Sequence, residues 1–332
     1  MKKAKVRHRR FVIGVDIGNT KTRYALADLQ GRVRTVFSGP GANDQEICIE
    51  TMKHHIQCAL EAMCAHARVD PAELAAIYYG AAGADTPADF RILRRAFAAV
   101  TPAVPFDFEN DGWIALHSGT RGGPGMVVTC GTGNTNFAVN SKGRRMRIGG
   151  LEEALGDILG APAIARYAMT AAMRSEDHRD EPTILTDLLP KAFGVRSNAE
   201  LINLDRTPAF VETVIKNLFA AAQKGDGVSL QLCWQLVREV LTIVRQFHAG
   251  LFQQEKQFTL VLEGSFFKQK YQPFMQMLEL ALHQRYHVQV VVPDYDPVLG
   301  ALFLACKTGG HIPTAAQADR LIASYKATEI LV

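Results

Sequence analysis

Residues 11–28 have the sequence FVIGVDIGNTKTRYALAD, and this stretch decides the fold class. Two short apolar runs flank a polar, glycine-containing turn, so the pattern predicts a strand, a tight turn and a returning strand. Residues 126–140, MVVTCGTGNTNFAVN, repeat this arrangement later in the chain. Glycine lets backbone N–H groups approach a ligand closely, and Thr and Asn supply short donors. Together the hairpins predict two half-sites for one anionic ligand, for which a nucleotide polyphosphate is the simplest candidate.

The composition is that of a globular protein with room for two domains. The chain has 332 residues, of which 48% are apolar and 21% charged. Its net charge is +4, but residues 1–10 hold six Lys and Arg, so the remainder carries −2. This balance argues against a nucleic-acid-binding surface. No apolar run approaches the ~20 residues that span a bilayer, so we expect a cytoplasmic protein without a membrane partner.

The cysteines give no sign of a metal site. They form no C-x-x-C pair and no spacing suited to zinc or an iron–sulfur cluster. We therefore expect reduced, buried thiols. The six are Cys48, Cys58, Cys64, Cys130, Cys233 and Cys306.

The order of predicted elements is typical of the α/β class. Antiparallel hairpins come first, and strands alternating with helices follow, which predicts a mixed sheet. Strands are predicted at 11–17, 22–28, about 33–37, 76–80, 104–108, 258–263 and 287–292. Helices are predicted at 45–67, 152–173, 209–223, 227–254, 269–285, 297–306 and 314–326. Asp70-Pro71 and Thr86-Pro87 each predict a helix cap followed by proline at the first helical position.

These elements suggest a division into two domains. We expect a basic disordered tail at 1–10 and an N-terminal domain at 11–122. A C-terminal domain at 123–296 would carry a helical insertion at about 174–207, because that stretch is polar and contains Pro182 and Pro190. The last helices, 297–332, would pack back toward the N-terminal domain.

Six short motifs follow one another along almost the whole chain. They are DIGNTKT at 16–22, NDG at 110–112, GTGN at 131–134, GGLEEALGD at 149–157, EGS at 263–265 and DPVLGA at 296–301. Together they resemble the motifs of the actin-like ATPase superfamily, which contains sugar kinases, Hsp70 and actin. They resemble most closely its BadF/BadG/BcrA/BcrD branch, which includes N-acetylglucosamine kinases.

The resemblance implies a fold and an activity. The fold would be two actin-like (ribonuclease H-like) domains, each a mixed five-stranded sheet flanked by helices, with a cleft between them. The activity would be ATP-dependent phosphorylation of a sugar or amino sugar hydroxyl, with ATP and Mg²⁺ as cofactors. The partner would be a small-molecule sugar, and we expect a homodimer.

The resemblance also implies the role of each site residue. Asp16 would orient Mg²⁺ through water, and Asp111 would be the catalytic base. The phosphates would be bound by Gly18, Asn19, Thr20, Lys21, Thr22, Gly131, Thr132, Gly133 and Asn134. Gly264 and Ser265 would contact the adenosine. The sugar would be bound by Asn43, Gly149, Gly150 and Asp157.

Local patterns leave simpler structural roles open for most of these residues. Asp16 could cap a turn, and Lys21 could be a solvated hairpin lysine. Asp111 and Asn43 could each be the N-cap of the helix that follows. Asp157 could be an exposed helical residue, and Gly264 could form a tight turn that binds nothing.

The sugar-side motif departs from the family pattern, which leaves other functions open. Family kinases typically read Gly-Gly-Trp-Gly and then Gly-Asp-Glu-Gly-Ser-Gly, whereas this chain has GGLE at 149–152 and GDILGA at 156–161. Ile158 cannot accept a bond from a sugar hydroxyl. One alternative is therefore an ATPase that activates a partner enzyme, and another is a non-catalytic nucleotide- or sugar-binding sensor.

Overall fold

The computed structural model describes residues 9–151 and 153–332. The described chain forms two compact units, one of residues up to 123 together with 293–332, and one of 124–292. Most of the predicted disordered tail, 1–8, lies outside the described residues. Arg10 is ordered, contrary to that prediction: its backbone N–H donates to the Glu73 carbonyl over 2.8 Å, and its guanidinium pairs with the Glu73 carboxylate.

The described residues form eleven strands and eleven α-helices. The strands are β1 (Phe11–Ile17), β2 (Lys21–Asp28), β3 (Val33–Pro40), β4 (Leu74–Ala81), β5 (Phe106–Asn110), β6 (Gly125–Thr129), β7 (Thr135–Val139), β8 (Arg145–Gly149), β9 (Phe258–Glu263), β10 (Val288–Val291) and β11 (Ile330–Leu331). The helices are α1 (Ile49–Ala67), α2 (Pro87–Val100), α3 (Asp111–Thr120), α4 (Ala161–Glu176), α5 (Leu185–Phe193), α6 (Pro208–Gln223), α7 (Gly227–Phe247), α8 (Ser265–Lys268), α9 (Phe274–His283), α10 (Val298–Thr308) and α11 (Ala315–Ala327).

The first unit is a mixed sheet covered on both faces. Its strand order is β11-β3-β2-β1-β4-β5, with antiparallel β1–β2 and β2–β3 pairs and parallel β1–β4 and β4–β5 pairs. Alternate residues of β1 point to opposite faces. Ile13 and Val15 join the apolar cluster formed with α1 and α2, whereas Val12 joins the cluster formed with α10. A Cβ at Gly14 would overlap the α10 backbone, so glycine permits this close packing.

The second unit repeats the mixed-sheet arrangement. Its order is β10-β9-β6-β7-β8, with an antiparallel β6–β7 hairpin, an antiparallel β7–β8 pair and parallel β6–β9 and β9–β10 pairs. The apolar faces of α4–α7 and α9 pack with β6 and β9 in one core. Thr129 lies opposite Glu263, so the turns after β6 and β9 start side by side.

The structure confirms the α/β class and both predicted hairpins, and it adds β8 and β11, which the sequence did not predict. The cap predicted at Asp70-Pro71 is confirmed, because the Asp70 side chain accepts from the Ala72 N–H and Pro71 is the first helical residue, but the helix is short. Pro71–Glu73 is a single 3₁₀ turn that ends where β4 begins, because every residue of β4 is buried in the sheet. The predicted helix 152–173 starts only at Ala161, and the predicted helix 269–285 starts only at Phe274, as α9, after the separate short helix α8.

The expectation of buried thiols is wrong for two cysteines. Cys48 and Cys58 are exposed, because Cys48 precedes α1 and Cys58 lies on the solvent side of that helix. The other cysteines are buried. None of the helices in the described residues has the length and apolar character needed to cross a bilayer.

Candidate functional site

The carboxyl ends of β1, β4 and β5 meet at one edge of the first sheet. Ile17 is in register with Ala81, and Ala81 is in register with Asn110. Neighbouring strands lie about 4.8 Å apart, so Asp111 lies roughly 10 Å across the sheet from the end of β1. This edge therefore holds both the turn that follows Asp16 and the start of the helix that carries Asp111.

The first hairpin turn is held by a buried asparagine. Gly18 closes the turn by donating its N–H to the Lys21 carbonyl over 3.1 Å. The Asn43 side chain donates to Asn19 Oδ1 over 2.8 Å, and its own Oδ1 accepts from the Gln45 N–H. Asn43 is thus not the N-cap of α1, which begins at Ile49. Its predicted contact with a sugar stays a prediction.

The polar residues of the first turn differ in their exposure. Asn19, Thr20 and Lys21 are exposed and therefore accessible to a ligand. Thr22 is fully buried, because it lies opposite Ile17 on the face of the sheet that packs against α1. Its hydroxyl therefore has no access to a phosphate in this structure, and the role predicted for Thr22 does not fit its position.

Asp111 is the first residue of α3, and Asn110 is the N-cap. Asn110 Oδ1 accepts from the Gly112 N–H over 3.0 Å, and its amide donates to Asp85 Oδ1 over 3.3 Å. The alternative reading of Asp111 as the N-cap is therefore wrong. Asp111 is only partly buried, so its carboxylate is accessible from solvent. A carboxylate at a sheet edge and a helix start can accept a proton from a bound hydroxyl.

The second hairpin presents backbone rather than side chains. A Cβ added at Gly131 or Gly133 would meet no other atom within 4 Å, so both backbones face open space. Asn134 is buried and its amide donates to the Thr129 carbonyl and to Asn136 Oδ1. The Asn134 side chain thus closes the hairpin, and any contact of this turn with phosphates would come from backbone N–H groups and Thr132.

Two cavities of the second unit share Thr132 and Pro162. We call them the Asp157 cavity, of about 320 Å³, and the Tyr271 cavity, of about 420 Å³. The Asp157 cavity is lined by Thr132, Gly133, Asn134, Thr135, Gly150, Leu151, Glu153, Asp157, Gly160, Pro162 and Ala163. The Tyr271 cavity is lined by Gly131, Thr132, Ala161, Pro162, Arg206, Pro208, Val211, Glu212, Ile215, Ser265, Phe266, Gln269 and Tyr271.

Asp157 closes the loop that forms one wall of its cavity. Its Oδ2 accepts from the Leu151 N–H over 2.7 Å. Gly149 and Gly150 have φ values of +71° and +81°, and Arg147 donates to both of their carbonyls. Asp157 precedes α4, so the alternative of an exposed helical residue is wrong. The motif of Gly149, Gly150 and Asp157 thus forms one closed loop.

The turn after β9 packs on the second hairpin. Gly264 has a φ of +112°, and a Cβ there would overlap the Cys130 backbone, so only glycine fits. Glu263 is buried; its Oε1 accepts from the Gly264 N–H over 3.0 Å and pairs with Lys268 Nζ at 2.7 Å. Ser265 then lines the Tyr271 cavity.

Several residues of the Tyr271 cavity were not predicted from the sequence. The Tyr271 ring stacks on Phe219 at 4.5 Å, and burial with the nearby Glu212 charge raises the pKa of Tyr271 to about 12. The Arg206 guanidinium lies over the Phe210 ring at 4.5 Å. No motif marks Arg206, Glu212 or Tyr271, because they come from separate segments that only the fold of the second unit brings together.

Glu239, on α7, is another residue without a sequence signal. Burial raises its pKa, and the negative charge of Asp157 raises it further. The negative charge of Asp157 thus acts on Glu239, although Glu239 belongs to a helix far along the chain.

Comparison with known proteins identifies relatives along nearly the whole chain. The model of the BadF/BadG/BcrA/BcrD ATPase family matches residues 13–305. An N-acetylmuramic acid/N-acetylglucosamine kinase of Clostridium acetobutylicum is 28% identical over 304 residues, which cover 89% of this chain and 98% of the relative. An N-acetyl-D-glucosamine kinase of Dictyostelium discoideum is 24% identical over 312 residues, which cover 88% of this chain and 97% of the relative. A solved structure described as a candidate N-acetylglucosamine kinase of Chromobacterium violaceum is similar in fold, with a TM-score of 0.65 and 23% identity. The match covers 89% of this chain and 99% of that structure.

Proposed function

Because the chain belongs to the BadF/BadG/BcrA/BcrD ATPase family, we propose that it is an ATP-dependent kinase of an amino sugar of the N-acetylglucosamine type. The two curated relatives carry kinase names with this substrate class. The observation that carries the proposal is the position of Asp111 at the first residue of α3, on the sheet edge reached by β1. Phosphoryl transfer needs little more from the protein than bound phosphates, a metal ion and a proton acceptor.

The Tyr271 cavity supports a place for the adenosine. Its volume of about 420 Å³ lies within the range of small-molecule sites. The Gly264 turn brings Ser265 to its wall without an obstructing side chain, and Tyr271 offers an aromatic surface. The adjoining backbone of Gly131 would then contact the phosphates. The prediction that both hairpins contact the same triphosphate stays a prediction.

Asp16 fits a magnesium ion that is bound mainly by water and phosphate. It is a single carboxylate at the start of a glycine turn, and the described residues contain no group of three or more His, Cys, Asp or Glu that could hold a metal. Mg²⁺ binds few protein carboxylates and keeps several waters when phosphate oxygens complete its shell. When bound, the ion would neutralise charge on the phosphates.

Asp111 would accept the proton of the sugar hydroxyl as it attacks the γ-phosphate. Asn110 fixes the start of α3 through the Gly112 N–H and through Asp85, so the Asp111 backbone is held on both sides. Proton removal by a positioned carboxylate typically contributes 10²–10⁴-fold, roughly, to the rate. The Asp111 carboxylate is thus the group on which catalysis depends most.

The Asp157 cavity is the proposed place for part of the sugar. Its loop of Gly149, Gly150 and Asp157 offers backbone groups and one carboxylate. Ile158 replaces the glutamate of the family pattern, which removes an acceptor for a sugar hydroxyl. The acceptor preference is therefore expected to differ from that of relatives that keep the glutamate.

The alternatives receive less support. An activator ATPase would need a cysteine-held cluster, and the relatives named above are kinases. A sensor without turnover would not need Asp111 at the sheet edge. The homodimer and the cytoplasmic location stay predictions.

A coupled assay of ADP release tests the proposal. Purified protein with Mg²⁺ and ATP is given N-acetylglucosamine, N-acetylmuramic acid, N-acetylmannosamine, glucosamine or glucose in turn. We expect at least one N-acetylated amino sugar to accelerate ADP release above the rate without acceptor. ATP binding without acceleration by any of these sugars would contradict the proposed kinase activity.

A further inference from the structure

A charged cluster lies beside Asp16 on the α10 face of the first sheet. Asp16 and Arg23 are direct cross-strand partners in the β1–β2 register, so their Cβ atoms are about 5 Å apart on one face. That face is the one packed against α10, because Val12 and Gly14 alternate with Ile13 and Val15 on β1. A cation is thus placed next to the proposed magnesium carboxylate.

Arg23 is tied to the segment that precedes α10. Its Nε lies 3.4 Å from Asp296 Oδ2, and its side chain is only 12% exposed. The Tyr325 hydroxyl on α11 donates to the same Asp296 oxygen over 2.7 Å. The Asp296 carboxylate therefore contacts the Arg23 guanidinium of β2 and accepts a hydrogen bond from the Tyr325 hydroxyl of α11.

Tyr325 is suited to be a permanent donor. It is 6% exposed, and burial together with the charges of Asp296 and Asp16 raises its pKa well above the ordinary value. The phenol thus stays protonated and holds the Asp296 carboxylate beside Arg23. Without this bond, Asp296 could rotate away, and the Arg23 charge would act more strongly on Asp16.

We propose that three side chains, those of Arg23, Asp296 and Tyr325, form a positioning relay. In this relay Tyr325 holds Asp296 against Arg23, so that Asp296 offsets the positive charge of Arg23 beside Asp16 and thereby tunes the interaction of Asp16 with hydrated Mg²⁺. This inference rests on the proposed function, because it assigns the relay to the magnesium–nucleotide complex. None of the three needs to touch substrate; they act through Asp16. The relay gives the last helix of the chain a role in nucleotide binding.

The neighbouring residue on α11 provides a matched control. Lys326 pairs with Asp294, two residues before Asp296, and lies over the Tyr295 ring at 5.5 Å. Both Tyr325 and Lys326 thus anchor the same segment to α11, but only Tyr325 bonds Asp296. Loss of anchoring alone would affect Tyr325→Phe and Lys326→Gln alike.

The test compares ADP affinity in Mg²⁺ with ADP affinity in EDTA, by titration calorimetry on the full chain. We expect Tyr325→Phe to reduce the gain from Mg²⁺ by about three- to tenfold, since a bond to a charged group is lost. Asp296→Asn should reduce it at least as much, whereas Lys326→Gln should change it by less than about twofold. Affinity in EDTA should stay the same in all variants, and thermal unfolding verifies that each is folded.

The outcomes separate the inference from the proposed function. If the wild type gains affinity from Mg²⁺ but Tyr325→Phe and Asp296→Asn behave like Lys326→Gln, the relay is wrong and the kinase proposal stands. If the variants lose affinity equally in Mg²⁺ and EDTA, their role is structural and the relay is again wrong. If the wild type itself gains no affinity for ADP from Mg²⁺, the proposed magnesium site fails, and the relay fails with it.

Discussion

Replacing Asp111 with asparagine should abolish phosphoryl transfer while leaving nucleotide binding intact. The substitution keeps the shape of the side chain but removes its ability to accept a proton. Loss of a general base typically lowers the rate about 10²–10⁴-fold, which corresponds to roughly 2.7–5.4 kcal/mol of transition-state stabilisation. Because Asp111 lies about 10 Å across the sheet from the end of β1, ADP affinity should change by less than about twofold.

The structure also limits the effect on stability. Asp111 is the first residue of α3, where a carboxylate contributes about 0.3–1 kcal/mol through the helix dipole. Asn110 remains as the N-cap, so the helix start is preserved. The melting temperature should fall by only about 1–3 °C. Unfolding therefore cannot account for the expected loss of activity.

The assay is coupled ADP release with the best acceptor sugar, alongside calorimetric ADP titration. Asp107→Asn is the matched control, because Asp107 lies on β5, the strand that leads into Asp111, and its side chain is 54% exposed and pairs with Arg94. It should retain activity within about twofold. A loss of only a few-fold in Asp111→Asn would identify another base. An equal loss of ADP affinity would instead place Asp111 in nucleotide binding.

Three further changes test the second unit. Burial alone would raise the pKa of Asp226, but its hydrogen bonds at the α7 N-terminus lower it, so Asp226→Asn should reduce the free energy of unfolding by about 1–3 kcal/mol at pH 7. A carboxyl with a lowered pKa stabilises the folded state only above the pKa that it has in the unfolded chain. The stability difference between wild type and variant, measured by denaturant unfolding, should therefore shrink below about pH 4. Gly264→Ala should destabilise the protein by about 2–4 kcal/mol, because the added Cβ would overlap the second hairpin. Gly225→Ala should cost about 1–2 kcal/mol, because Gly225 has a φ of +84° but a Cβ there would meet no other atom. Equal losses of stability in the two variants would contradict the packing argument. Val211→Trp should fill the Tyr271 cavity and weaken ADP binding about tenfold or more, whereas Lys216→Trp, exposed on the same helix, should not.

The parts of the fold predicted from sequence are those with strong local signals. Both hairpins have glycine turns between β-branched runs, and α2 has the Thr86-Pro87 start that its capping box confirms. The edge strand β8 has no such signal, because Arg145 and Arg147 alternate with only partly buried residues. The strand forms because β7 offers it a partner, which is information outside its own sequence.

The candidate site was predictable where a motif fixes the backbone. The positions of Asp111 and Gly264 follow from strand ends, but the sequence could not decide that Asn110 rather than Asp111 caps α3. The sequence also could not place Thr22 on the buried face, since a shift of one residue in the strand register moves every side chain to the opposite face of the sheet. Tyr271 needs the packing of distant segments.

The placement of α10 has a consequence for biosynthesis. Its partner strand β1 leaves the ribosome early, but α10 is translated only after residues 124–292, which takes roughly 10–30 s at ordinary elongation rates. During that interval the face of the sheet that bears Val12 and Gly14 lacks the cover that α10 provides. The nascent chain therefore carries an open apolar surface that a chaperone can recognise, and the N-terminal half made alone should aggregate.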